Sequence, residues 1–280
     1  MRRTTLGRPD SRAAPRIRGA VFALLATAAW SAPCAAQELG PSLLTGADTT
    51  RGTPQAPPAL PSTPAGPHVV RWWEVAAAAG GIGALMADDG NLLHEVQEHP
   101  TSGAGDVASV FRQAGDVKVY TALTLGTLGA GLLAKDAGIT RTGAQLAASG
   151  ALAGVSLGLL KVVTGRSRPD LGQGQGAYDF HPFGGGGSFP SGHAAMAFAL
   201  ATTLGDASHS TWATAGLYVF ATGTAWSRVY DGRHWPSDVL LGAALGVTSA
   251  KLVNGRWRIF GLRSPAFLVT PRGPGLQVSF

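Results

Sequence analysis

A single cysteine, Cys34, stands among 280 residues, inside an N-terminal stretch that reads as a cleavable leader. The mature chain would then hold none, which excludes a disulfide framework and thiol catalysis. Charge is scarce as well: 14% of residues are charged and 45% apolar, on the hydrophobic side of an ordinary soluble domain. The formal charge of +6 invites a nucleic-acid reading until it is located. Arg2, Arg3, Arg8, Arg12, Arg16 and Arg18 against Asp10 put +5 in residues 1–36 and leave about +1 for the rest, so the body carries no basic footprint for nucleic acid. Metal-ligand spacing is missing too. "HEVQE" at His94–Glu98 is followed by His99 at i+5, on another helix face from a zinc-protease partner. The glycine runs at 172–176 and 184–187 have no strand–turn–helix frame around them, so they read as a loop and not as a dinucleotide fingerprint. Uncharged lengths are short in places: 13 residues between Glu74 and Asp88, and 12 over Val239–Ala250. About 20 are needed to span a bilayer.

What is present divides into four segments. Residues 1–36 run from the arginines through "AVFALLATAAW" to "SAPCAAQ", a secretion signal with cleavage after Ala36. The alternative, a first membrane anchor, has an apolar stretch of about eleven residues, short of a span. Residues 37–70 contain "GTPQAPPALPSTPAGP", a proline-rich linker read as extended or disordered. Residues 71–258 hold alanine-, leucine- and glycine-rich runs that predict main helices near 71–87, 117–135, 141–164, 191–206, 210–226 and 237–254, with shorter pieces at 89–98 and 104–114. Residues 259–280 include two short β-prone runs around "PRGPG" that predict a terminal hairpin. The fold class is therefore all-α: one domain with a six-helix core.

Three stretches carry chemistry. "KVVTGRSRP", Lys161 to Pro169, closes an apolar helix with three cations, which alone is compatible with a helix C-terminal cap. "PSGH", Pro190 to His193, opens a helix, with a serine oxygen available to cap it and a histidine in the first turn. A protonated histidine is disfavoured at that positive helix end unless an anion sits there too. "SRVYDGRHWPSD", Ser227 to Asp238, places His234 just before a proline-initiated helix and Asp238 four residues later. That carboxylate is positioned to accept from one ring nitrogen and free the other.

Together, in this order, the three stretches resemble the signature of the type 2 phosphatidic acid phosphatase and vanadium haloperoxidase superfamily, which includes bacterial class A acid phosphatases. That signature has Lys, six residues, Arg-Pro; then Pro-Ser-Gly-His; then Ser-Arg, five residues, His, three residues, Asp. Lys161, Arg168-Pro169, Pro190 to His193, Ser227-Arg228, His234 and Asp238 match it without a departure. "DDGNLLHEVQEHP", from Asp88, looks like the family's lead-in segment, and the likeness covers about residues 86–254.

The resemblance implies a phosphate cage of Lys161, Arg168, Ser191, Gly192 and Arg228, with Ser191 and Gly192 offering backbone N–H groups. It implies His234 as nucleophile forming a phosphohistidine, Asp238 orienting it, and His193 as general acid and then base. No metal or other cofactor is implied. The expected substrate is a phosphorylated small molecule, a lipid phosphate or a pyrophosphate. Two other readings stay open: a vanadate-dependent haloperoxidase with vanadate in the same cage, and a catalytically silent envelope protein. Arg166 and Arg233 flank the motifs and are expected to steer anions; Tyr178, Phe180, His181 and Phe183 either contact substrate or anchor the loop. The leader and short uncharged lengths imply a periplasmic or secreted domain, touching at most a membrane surface, with an integral membrane protein as the alternative. Oligomeric state is not legible.

Overall fold

The computed structural model describes residues 66–98, 102–171, 176–259, 266–270 and 273–277. The expected leader and the linker up to residue 65 lie outside the described residues, as do His99 and most of the first glycine run. The apolar runs form helices α1 (Trp72–Ala87), α2 (Asp89–Glu98), α3 (Ala104–Ala114), α4 (Val117–Ala134), α5 (Ala137–Thr164), α6 (Gly192–Ser208), α7 (Thr211–Tyr230) and α8 (Pro236–Val253). Strand β1 (His68–Val70) pairs in parallel with β2 (Trp257–Ile259), His68 opposite Trp257. This pair joins the end of the expected linker to the residues after α8. The expected hairpin forms from β3 (Ala266–Thr270) and β4 (Gly273–Gln277), antiparallel, with Thr270 opposite Gly273.

Caps set the helix boundaries. Asp116 accepts from the Lys118 amide at 2.8 Å to start α4. Asp136 accepts from the Ile139 amide at 2.9 Å, which starts α5 four residues before the predicted position. Helix α5 stops at Gly165, whose φ of 55° is the left-handed C-terminal conformation that glycine adopts without strain. Helix α7 runs on to Tyr230, so Arg228 sits in its last turn and not in the loop beyond.

Helices α6 and α8 form the centre, with α7 and α5 packed against them. The core is built from small side chains, Ala194, Ala197, Ala201, Ala221, Ala225 and Ala243, around Phe198, Val229, Trp235 and Val239. Close approach of α8 to α6 depends on Gly242 and Gly246. A Cβ added at these positions would lie 2.3 Å from the Ser191 carbonyl oxygen and 2.2 Å from that of Ala195. Backbone contact there lets the Ser191 amide donate to the Asp238 carbonyl at 2.9 Å, fixing the starts of both helices relative to each other.

The outer helices behave differently. Helix α1 buries none of its residues, and α4 and α5 expose Leu123, Leu125, Leu133, Leu152, Val155 and Leu159. Both α4 and α5 are long and apolar enough to cross a membrane, with mean hydropathy of 1.4 and 1.8 and less than a quarter of either window buried. The short uncharged lengths that favoured a periplasmic domain belong to α1 and α8. From Val119 to Ala134, and from Thr142 to Leu160, no charged residue occurs. Exposed apolar faces of this extent mark a surface covered by lipid or protein.

Candidate active site

Helix ends converge on one face of the bundle. The C-terminal turns of α5 and α7 bring Lys161 and Arg228, and the N-termini of α6 and α8 bring Ser191, Gly192, His193 and Asp238. Two helix N-termini add partial positive charge to that of the side chains. A cavity of about 440 Å³ opens here, lined by Arg112, Gln113, Asp116, Arg168, His193, Arg228, Asp231 and Arg233.

His234 is 4% exposed, in the turn before α8. Its Nδ1 lies 2.8 Å from the Ser188 carbonyl oxygen, which can only accept, so Nδ1 carries the proton. Nε2 is then the nitrogen with a free lone pair. Asp238 Oδ2 stands 3.6 Å from Nδ1, in ion-pair range but outside hydrogen-bond range. The expected Asp238–His234 hydrogen bond is thus replaced by one to Ser188. The i, i+4 spacing brings the two into ion-pair range without a direct hydrogen bond. Asp238 itself is fully buried and accepts from the Trp235 amide at 2.9 Å, from Arg166 Nη1 at 2.6 Å and from the Ser188 hydroxyl. Burial pushes its carboxyl up, but His234, Arg166 and Ser188 together hold it below the usual range. Burial lowers His234, opposed by Asp238 and aided by Lys161 and Arg168.

His193 lines the cavity, and burial together with Arg228, His234 and Arg168 drives its pKa down to about 4; Asp116 opposes this. Unliganded, it is neutral at pH 7, as a histidine at a positive helix end should be. Ser191 occupies the N-cap position but caps nothing, and its amide is taken by Asp238. Of the two N–H groups expected to face an anion, that of Ser191 is therefore spent within the fold. Its hydroxyl is not: Ser191 Oγ and Arg228 Nε are two of five buried side-chain polar atoms without a partner among the described residues, with Thr124 Oγ1, Asp179 Oδ2 and Asn254 Oδ1. A Cβ at Gly192 would meet no atom within 4 Å, so nothing in the protein itself fills that space. Lys161 donates to the Gly187 carbonyl, which turns it toward the loop ahead of α6.

Several residues at the site fall outside the motif. Asp231 accepts from Arg228 at 3.4 Å and pairs with Arg112 at 3.2 Å, holding both arginines at the rim. Arg233 reaches the rim and pairs with Asp170 at 2.5 Å. Arg166, expected to steer anions, is wholly buried and binds Asp238 and Asp89 instead. In the loop, Phe180 turns inward beneath Arg166, with its ring centroid 5.3 Å from the guanidinium carbon. His181 pairs with Asp179 at 3.0 Å, while Tyr178 and Phe183 point outward, 63% and 77% exposed. His94 pairs with Glu98 at 3.1 Å on an exposed face.

Known proteins resemble parts of this chain. The chain is 47% identical over 72 residues to a lipid A 1-phosphatase of Porphyromonas gingivalis, covering 25% of this chain and 16% of that one. It is 34% identical over 110 residues to a lipid A 1-phosphatase of Rhizobium etli, covering 37% and 45%. The chain thus spans less than half the length of these curated relatives. The crystal structure of Aquifex aeolicus LpxE superposes with a TM-score of 0.44 at 24% identity, over 57% of this chain and 90% of that one. The PAP2 superfamily model matches residues 142–258, which hold all eight residues named for the cage and its acid–base groups. Over that segment the chain is similar to the PAP2 superfamily.

Proposed function

We propose that the protein is a phosphatase that removes a phosphoryl group from a lipid phosphate or diphosphate through a covalent intermediate on His234. One observation carries this. Ser191 Oγ and Arg228 Nε, buried and unpaired among the described residues, belong to the motif residues that would bind phosphate: Ser191 stands at the N-terminus of α6, and Arg228, from the last turn of α7, lines the cavity. A tetrahedral dianion would satisfy both. Arg168 and Lys161 would spread over its other oxygens, and their fixed charges stabilise the transition state without reorganisation. His234 Nε2 attacks phosphorus as the bond to the leaving oxygen breaks, and Asp238, 3.6 Å from the ring, stabilises the resulting positive imidazole. His193, given a proton with the bound anion, donates it to the departing oxygen and then takes one from the water that releases phosphate.

The lipid assignment draws on the relatives, whose names specify lipid A, and on the outward apolar faces of α4 and α5, which would sit in the bilayer beside the site. The test is phosphate release by detergent-solubilised protein from lipid A, a polyprenyl diphosphate, phosphatidate and a soluble aryl phosphate, with and without excess EDTA. Release from a lipid substrate that persists in EDTA, and that is lost in His234→Ala, supports the reading. Release restored only by added divalent metal, or full turnover in His234→Ala, refutes it.

A further inference from the structure

Two fully buried carboxylates share one fully buried guanidinium beneath His234. Arg166 Nη1 donates to Asp238 Oδ1 at 2.6 Å and to Ser237 Oγ at 2.8 Å, and Nη2 donates to Asp89 Oδ2 at 2.7 Å. Its Nε donates to the Ala177 carbonyl at 2.9 Å. The guanidinium carbon lies 5.3, 5.8 and 5.5 Å from the ring centroids of Phe180, Phe189 and Trp235, so three aromatic walls exclude water and add cation–π attraction. Asp89, at the start of α2, also accepts from the Ser237 amide at 2.8 Å and the Ser237 hydroxyl at 2.5 Å. It therefore caps the first turn of α8, the turn that carries Asp238.

The charge balance gives this arrangement a consequence beyond packing. If Arg166 bound Asp238 alone, the pair would be neutral and would offer little to a positive imidazole 3.6 Å away. A second, ionised acid on the same guanidinium brings the unit to −1; burial raises the Asp89 carboxyl, while hydrogen bonds from Ser237 and Arg166 and the guanidinium charge lower it. We propose that Asp89 and Arg166 are positioning residues for the phosphatase reaction: together they hold Asp238 in place and keep its unit negative enough to stabilise His234 when phosphoryl transfer makes the ring positive. This rests on His234 acting as the nucleophile. Neither residue reaches the cavity, so neither touches substrate.

Besides Asp89 and Arg166 behind Asp238, the charged groups near His234 are Asp238 from α8, Lys161 from α5, Arg168 from the following loop and His193 from α6. Asp89→Asn leaves all of them in place. It keeps an oxygen for the Ser237 amide, and removes the charge together with the oxygen that accepts from Arg166 Nη2 and the Ser237 hydroxyl. On an aryl phosphate, kcat should fall about tenfold or more, while the inhibition constant of inorganic phosphate stays within about twofold, because Lys161, Arg168 and Arg228 are untouched. The acid limb of kcat/KM should move to lower pH, by about half a unit or more, since the imidazolium loses support. The substrate's own titration is common to both proteins and cancels. Arg166→Lys keeps the cation but cannot span both acids, so it should lose kcat with phosphate affinity retained and the limb unmoved. If Asp89→Asn does not accumulate as folded protein, Arg166→Lys decides on its own. Parallel loss of kcat and phosphate affinity in the folded variant, or wild-type kcat, overturns the inference. Absence of turnover in the wild-type protein instead overturns the phosphatase reading, and the inference falls with it.

Discussion

His193 offers a direct thermodynamic test of the anion cage. In the unliganded protein its pKa is driven down to about 4 by burial and by the positive neighbours Arg228, His234 and Arg168. A dianion in the cage reverses that field. One net negative charge about 4 Å away, at an effective dielectric of about 20, is worth about 4 kcal/mol. At about 1.4 kcal/mol per pKa unit, this moves the imidazole up by about three units, to about 7. The sign follows directly: a group whose pKa is higher in the complex takes up a proton on binding, between the two pKa values. At pH 6 the free side chain is about 1% protonated and the bound one about 90%. Sulfate is the suitable probe, because it remains a dianion across this range. Calorimetry of sulfate binding in buffers of different ionisation enthalpy should give uptake of about 0.9 proton at pH 6, falling to about 0.1 at pH 8. Lys161, His234 and Asp116 also face the cage, so the control is His193→Gln, in which most of the uptake at pH 6 should vanish. Uptake near zero in wild type, or equal uptake in His193→Gln, would refute the assignment of His193 as the proton carrier.

Loss of His193 should also depend on the leaving group: His193→Ala should cost about 10² to 10⁴ in kcat on an alkyl or lipid phosphate and far less on an activated aryl phosphate, and equal losses on both would remove its role as acid. At the helix crossing, Gly246→Ala should lower stability by about 1–3 kcal/mol, because its Cβ would meet the Ala195 carbonyl oxygen at 2.2 Å; denaturant midpoints unchanged from wild type would show that α6 and α8 are free to separate.

Helix positions and the motif residues were legible because each rests on local chemistry. Asp116, Asp136 and Ser210 cap by their own side chains, and the helices that follow them contain no proline. The tie between Asp89 and α8 was not legible, since 148 residues separate Asp89 from Ser237 and only the packing of α2 brings them together. Nor was the role of Ser188, whose backbone carbonyl accepts a hydrogen bond from His234 Nδ1, because a carbonyl carries no sequence signature. Arg166 and Arg168 lie two residues apart and meet opposite environments, one sealed under three aromatic rings and the other at the cavity. Residue type alone cannot separate them. The outward faces of α4 and α5 posed a related difficulty. A helix apolar on every side reads the same whether it lies in the protein's own core or outside it, and the exposure of Leu125, Leu133, Val155 and Leu159 is what puts these faces outside the core.

Those faces also fix an orientation that can be measured. Helix α4 begins at Asp116, on the cavity wall, and its 18 residues carry the chain about 27 Å away before α5 returns. The α4–α5 corner, with Lys135 and Arg141 against Asp136, therefore lies at the end opposite the cavity. Helix α8 runs the same way from Asp238 and leads to Arg256 and Arg258. Lysine and arginine next to membrane-spanning helices favour the cytoplasmic side, so the corner should face inward and the cavity outward. Single cysteines at Lys135 and at exposed Tyr178, in a Cys34→Ser background, report the two ends separately. A membrane-impermeant maleimide applied to intact spheroplasts should label Tyr178→Cys and spare Lys135→Cys until the membrane is permeabilised. Labelling of Lys135→Cys in intact spheroplasts would show that the corner does not cross, and α4 and α5 would then need a protein partner to cover their apolar faces.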